Sequence, residues 1–385
     1  MPIKSTRFTL RIPDADIADL RDRLGRSRFP DQVPGGGWDY GTDVTYLRQL
    51  TEYWRNVFDW RAEEAALNAF PQFRVPLDGI DLHYLHVPGV GPDPMPLLLL
   101  HGWPGSVFEF LDIIPRLTDP ERFGGDARDA FSVVAPSLPG YGLSFRPGQK
   151  RFGVPEMADC VAALMRDVLG YERFGAQGGD WGAAVTSRLA YAHADRMIGI
   201  HINLMTAAGR DPSAFPNPTE EERAYLGELA RWTREETGYQ WIQGTRPQTL
   251  AFGLTDSPIG LAAWIVEKFR AWSDCNGDVE SAISRDRMLA DISLYWFTGA
   301  IGSSFWPYYA RLHGSAILPA GDTISVPTGY AQFAREILKP PRTAAERVFT
   351  DIRRWSIMPK GGHFAALEQP ELLAGEVRAF FRELR

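Results

Sequence analysis

Residues Gly178-Gly179-Asp180-Trp181-Gly182 stand between a short apolar run at 173–177 and a stretch of small residues that starts at Ala183. A strand that passes into a helix over so few residues makes a sharp turn. Such a turn needs glycines around it and lifts its central side chain above the end of the sheet. Here that side chain is the carboxylate of Asp180. An aspartate in this position can also serve as the N-cap of the helix that follows, so the rest of the chain has to decide between the two uses.

The segments around this turn alternate. Apolar runs at 97–100, 132–136, 173–177 and 199–204 are separated by helical stretches from Val107 and over 155–169. That alternation predicts a mostly parallel, doubly wound α/β sheet with helices on both faces. Between 206 and 309 the strands stop, and long helical patterns rich in Trp, Tyr and Phe take over, as expected of a helical cap inserted into the core. The sheet resumes at 324–328 and 354–358, and an amphipathic helix over 370–384 closes the chain. Ahead of the core, Ile17, Leu20 and Leu24 recur at helical spacing and 43–58 is amphipathic. Residues 73–88 alternate around Asp78-Gly79, the pattern of a hairpin. The expected organisation is a helical N-terminal extension over 1–85, a core over 86–205 and 320–385, and a cap over 206–319.

Composition removes several function classes. Against 41 basic residues stand 48 acidic ones, giving a net charge of −7 with no basic tract to follow a phosphate backbone, so nucleic acid is not an expected partner. Cys160 and Cys275 cannot build a disulfide framework and have no metal-ligand spacing around them. The seven histidines form no metal cluster in sequence, and no cofactor is implied. Charges recur every few residues at the N-terminus, and the longest apolar stretches, such as 97–100 and 260–266, fall far below the roughly 18 residues of a spanning helix. A soluble, cytoplasmic protein is expected.

The chemistry is distributed in the order nucleophile, acid, histidine, which is that of the α/β-hydrolase fold. His363 lies in Lys360-Gly361-Gly362-His363-Phe364, directly after the last predicted strand. A histidine base needs a carboxylate to fix its tautomer and stabilise its charged form. Asp322 and Glu336 flank the penultimate strand, and Glu336 is preferred because it follows that strand toward its carboxyl end. Asn203 is an amide and could only orient the ring. After the strand at 97–100 comes His101-Gly102-Trp103-Pro104-Gly105-Ser106, where this fold supplies one donor of its oxyanion hole. The backbone N–H groups of Trp103 and Trp181 are the natural pair, and the Trp103-Pro104 bond is a candidate cis peptide.

A carboxylate in the place of the usual serine changes the reaction class. Attack on an sp³ carbon gives an alkyl-enzyme ester, which water activated by His363 then hydrolyses. Epoxides and organic halides are the substrates that fit. An epoxide oxygen needs an acid as it departs, and a tyrosine hydroxyl can donate while neutral. The cap offers Tyr239, Tyr308 and Tyr309. A haloalkane dehalogenase would use the same Asp180 and His363, with Trp181 and another indole around the halide. A non-catalytic carrier of hydrophobic ligands is the alternative outside enzymes.

The segments Phe73 to His86, HGWPGS from His101, PSLPGYGLS from Pro136, GGDWG from Gly178, the long stretch from Thr237, VPTGYAQFAREI from Val326 and GGHFAALEQPELL from Gly361 together resemble the microsomal-type epoxide hydrolases. The resemblance covers nearly the whole chain and implies an α/β-hydrolase fold with an N-terminal extension. It further implies Asp180 as nucleophile, His363 as base and Glu336 as its acid partner. Tyr239 and Tyr308 would hold the epoxide oxygen, with Tyr309 the less well matched alternative to Tyr308. The chain has no counterpart of the anchor helix that opens the membrane-bound members, and it looks like the soluble microbial ones. An apolar epoxide and water are the implied substrates, and a homodimer is a further expectation.

Overall fold

The computed structural model describes residues 4–206, 215–314 and 316–385, and among these nine strands form a single sheet. They are β1 (Thr6–Phe8), β2 (Gln72–Leu77), β3 (Ile80–Val87), β4 (Met95–Leu100), β5 (Phe131–Pro136), β6 (Phe174–Gly178), β7 (Met197–Ile202), β8 (Thr328–Gln332) and β9 (Ile352–Ile357). Their order across the sheet is β1-β2-β3-β5-β4-β6-β7-β8-β9. The first three neighbouring pairs are antiparallel and every pair from β5 to β9 is parallel. The central strand explains the strongest apolar run in the sequence: Leu97 to Leu100 are all fully buried, because a parallel strand covered on both faces has no solvent side.

Helices α1 (Asp14–Gly25), α2 (Val44–Asn56) and α3 (Trp60–Asn68) precede the β2–β3 hairpin. That hairpin turns at Asp78 and Gly79, both at positive φ, which suits a two-residue turn between right-twisted strands. Helix α4 (Ile113–Thr118) packs with the C-terminal helix Pro370–Arg382 on one face, and α5 (Val154–Ala163) packs with α6 (Asp180–Ala192) on the other. Between β7 and β8 lie α7 (Glu220–Glu236), α8 (Gly238–Thr245), α9 (Pro247–Asp256), α10 (Pro258–Trp272), α11 (Arg285–Thr298), α12 (Ile301–Ser304) and α13 (Trp306–Leu312). The N-terminal helices close over this inserted layer. Trp54 Nε1 donates to Ser293 Oγ at 3.0 Å and Thr42 Oγ1 to the Ala263 carbonyl at 2.7 Å. Among the described residues, no single helix is long and apolar enough to cross a membrane.

Several elements differ from expectation, the edge strand β1 in the N-terminal extension among them. The helix after the glycine turn begins at Asp180 itself, three residues before Ala183. The stretch from Val107 is a short 3-10 turn, Val107–Phe110, ahead of α4. The penultimate strand runs Thr328–Gln332 instead of over 324–328, and Ile324 makes only an isolated bridge to Phe349. Pro327 accounts for that shift, because a residue without an N–H cannot donate to a ladder and belongs at a strand's start.

Candidate active site

Asp180 sits at the end of β6 and the start of α6 with φ +46. This left-handed conformation is costly for a residue with a side chain and recurs at functional turns. Tight packing beneath it holds the turn: a Cβ on Gly182 would lie 2.0 Å from the Leu100 carbonyl oxygen, and one on Gly102 would lie 2.2 Å from Asp180 Oδ1. Only bare backbone fits at either place. The Trp103 N–H donates to Asp180 Oδ1 at 2.7 Å across this gap. The Trp103-Pro104 peptide is cis, as its place in the tight turn leads one to expect. Trp181, the second residue of α6, carries one of the N–H groups that a helix start leaves without an intrahelical partner.

His363 follows β9 on a loop whose backbone is fixed from two sides. Its own N–H donates to the Trp272 carbonyl at 2.9 Å. Glu368 accepts from the N–H groups of Asp274, Gly362 and Phe364 at 2.7, 2.8 and 2.9 Å. The ring thus presents Nε2 to Asp180 Oδ2 at 3.3 Å and Nδ1 to Glu336 Oε1 at 2.6 Å. Burial works to lower the histidine's pKa, but the charges of Glu336 and Asp180 and their hydrogen bonds outweigh it, and the net shift is upward. The two carboxylates thus favour the charged form of the His363 ring. Asp322, the other acid considered for this role, instead accepts from the exposed Tyr191 hydroxyl. Asn203 accepts from Gln177 Nε2 at 2.9 Å, below the elbow.

Both tyrosines of interest come from the cap. Tyr239, on α8, stacks on the Trp103 indole with centroids 5.4 Å apart and planes within 13°. Tyr308, on α13, stands edge-on to Trp181 at 4.8 Å and lies 5.8 Å from the Tyr239 ring. Burial first, then the neighbouring Tyr239 and Asp180, pushes the Tyr308 hydroxyl well above its ordinary pKa, so it stays protonated. Tyr309 points elsewhere and stacks on Trp306 and His313. Adjacent helical residues project about 100° apart, which separates these two neighbours.

A small cavity, about 20 Å³, is lined by Asp180, Trp181, Ala184, Leu204, Tyr239, Tyr308 and Ile337 among others. It shares Gln240, Tyr308 and Arg311 with a vestibule of about 180 Å³, walled by Leu229, Trp232, Trp241 and Leu312. A larger cleft of about 690 Å³ reaches Glu336 and Trp272 from outside, but Asp180 and the two tyrosines do not line it. Several residues of this neighbourhood carry no sequence motif of catalysis: Trp272, edge-on to His363 at 5.2 Å, and Lys268, whose ammonium lies over the Tyr239 ring at 4.7 Å. Both lie in an apolar helical stretch that reads as ordinary cap core.

The sheet order and the elbow define an α/β hydrolase, and comparison with known proteins agrees. The model described as alpha/beta hydrolase fold matches residues 95–236, and that described as epoxide hydrolase N terminus matches residues 5–110. A putative epoxide hydrolase of Stigmatella aurantiaca is 44% identical over 99% of this chain and 85% of its own length. Epoxide hydrolase 1 of Oryctolagus cuniculus is 36% identical over 97% and 88%. Among solved structures, the juvenile hormone epoxide hydrolase of the silkworm Bombyx mori superposes with a TM-score of 0.89 at 30% identity, covering 100% of this chain and 95% of the other. The Aspergillus niger epoxide hydrolase gives 0.86 at 30% identity over 100% and 97%. The chain belongs to the epoxide hydrolases. Epoxides are thus its substrates.

Proposed function

We propose that this enzyme converts an apolar epoxide to a vicinal diol through a covalent ester on Asp180. Oδ2 of Asp180 attacks a ring carbon. As the carbon–oxygen bond breaks, the departing oxygen takes a proton from Tyr239 or Tyr308, and the other hydroxyl donates a hydrogen bond to it. Forming the ester removes the Asp180 charge, one of the two that hold the His363 proton. The imidazolium then gives that proton, through solvent, to the tyrosinate and becomes a base. Neutral His363 takes a proton from water, and the resulting hydroxide adds to the carbonyl carbon of the ester. Oδ1, held by the Trp103 N–H with the Trp181 N–H as second donor, carries the oxyanion. Collapse expels the diol alkoxide, which is protonated by His363. The carboxylic acid left on Asp180 returns its proton to the histidine, and the site is restored.

The observation that carries this reading is the line Asp180–His363–Glu336, at 3.3 and 2.6 Å, beneath two buried tyrosines. The indoles and aliphatic side chains of the cavity and vestibule favour aryl or alkyl epoxides with an elongated substituent. One turnover in ¹⁸O-water, followed by mass analysis of the Asp180 peptide, tests the ester. Label in Asp180 is the expected result, and label only in the diol would exclude this route.

A further inference from the structure

Tyr239 is surrounded by groups that bear on its acidity. The Gln240 side-chain amide donates to its hydroxyl oxygen at 2.9 Å, and Gln240 Oε1 in turn accepts from Arg311 at 3.0 Å. Lys268, only 6% exposed, lies over the ring at 4.7 Å and over Trp272 at 5.6 Å. Burying an ammonium among aromatic rings is costly unless something compensates it. Its ionic partner is the adjacent Glu267 at 2.6 Å, and that carboxylate is itself 27% exposed. Among the described residues, Tyr308 from α13 lies 5.8 Å from this ring, Asp180 from the elbow lines the same cavity, and half-buried Glu236 at the end of α7 is a charged neighbour of Lys268.

Taking Tyr239 to be an acid of the ring-opening step, as proposed above, we infer that Lys268 and Gln240 are positioning residues that set its acidity. As the proton moves to the epoxide oxygen, negative charge grows on the phenol oxygen and spreads into the ring. An N–H directed at that oxygen and a cation over that ring both favour the charged form, the amide from the cavity wall and the ammonium from behind the ring, outside the cavity lining. Arg311 strengthens the amide's polarity from behind.

The test measures single-turnover ester formation and ester hydrolysis separately, with para-substituted styrene oxides as the probe. Lys268→Met, Lys268→Arg and Gln240→Leu are each placed in the native and the Tyr239→Phe backgrounds. Lys268→Met should slow ester formation about three- to tenfold, the range one cation–π contact commands, and leave hydrolysis of the ester unchanged. Losing a nearby positive charge raises a phenol's pKa, so the alkaline limb of ester formation should move to higher pH. Lys268→Arg should restore most of the rate. In the Tyr239→Phe background, Lys268→Met and Gln240→Leu should have almost no further effect. Equal slowing in both backgrounds, or equal slowing of ester formation and hydrolysis, would overturn the inference in favour of a packing role. Half-exposed Gln240 keeps the test decisive if Lys268→Met fails to fold. If Tyr239→Phe alone leaves ester formation unchanged, the assignment of Tyr239 as acid fails first, a result distinct from either of those.

Discussion

Replacing Glu336 by Gln separates the two half-reactions. The amide oxygen can still accept from His363 Nδ1, so ring orientation survives while the charge 2.6 Å away is lost. Two unit charges at that distance attract by about 6 kcal/mol at an effective dielectric of about 20, which is a ceiling because the pair also bears desolvation. Loss of the carboxylate behind a catalytic histidine slows general-base steps by about 10²- to 10⁴-fold, roughly 3–5 kcal/mol, which fits under that ceiling. Most of the penalty should fall on ester hydrolysis, where the histidine must gain a proton from water. Ester formation uses Asp180 and the tyrosines, and should change less than tenfold. Rapid quenching followed by intact-mass measurement should show nearly stoichiometric enzyme carrying the mass of one epoxide. If both steps slowed equally, or no adduct accumulated, the division of labour argued for Asp180, His363 and Glu336 would be wrong.

The adduct should also accumulate in native enzyme at acid pH. Asp180 loses its charge on alkylation, the raised pKa of His363 falls back toward its ordinary range, and below that value the ring is protonated and cannot accept a proton from water. Quenched samples across a pH series should therefore show the ester fraction rising as pH falls. Tyr308→Phe should reduce ester formation by about 10- to 100-fold, whereas Tyr309→Phe should stay within twofold of native enzyme, measured by diol release. Gly182→Ala drives a methyl group into the Leu100 carbonyl at 2.0 Å. It should lower stability by at least the roughly 1–3 kcal/mol of an overpacked core, read from thermal unfolding.

The parts legible in the sequence were those in which local pattern and function coincide. Leu97 to Leu100 read as a strand of the parallel sheet, the glycines around Asp180 as a sharp turn, and His363 followed the last strand on a Gly-Gly loop. Where tertiary contacts override local pattern, sequence reasoning lost its hold. Asp180 already belongs to α6, because a helix can begin at that residue when the glycine before it carries the extended backbone. Tyr308 and Tyr309 are equivalent in an aromatic-rich segment until a helix axis assigns one to the cavity. Lys268 lies in a stretch that reads as ordinary cap core, and only the packing of α10 against α8 puts its ammonium over a ring. Trp272 and Glu368 reach His363 through loop geometry that no spacing encodes.

Trp103 belongs to both halves of the molecule. Its amide holds an oxygen of Asp180, and its indole is the surface on which the cap's Tyr239 lies flat. Exchange of caps between relatives, an obvious way to change what such an enzyme accepts, therefore has a seam that domain boundaries do not reveal. A chimera that imports a foreign α8 onto this core inherits a stacking partner selected for another indole, and the misfit is transmitted to Asp180 within one residue. Recombination should keep residues 103 and 239 from the same parent.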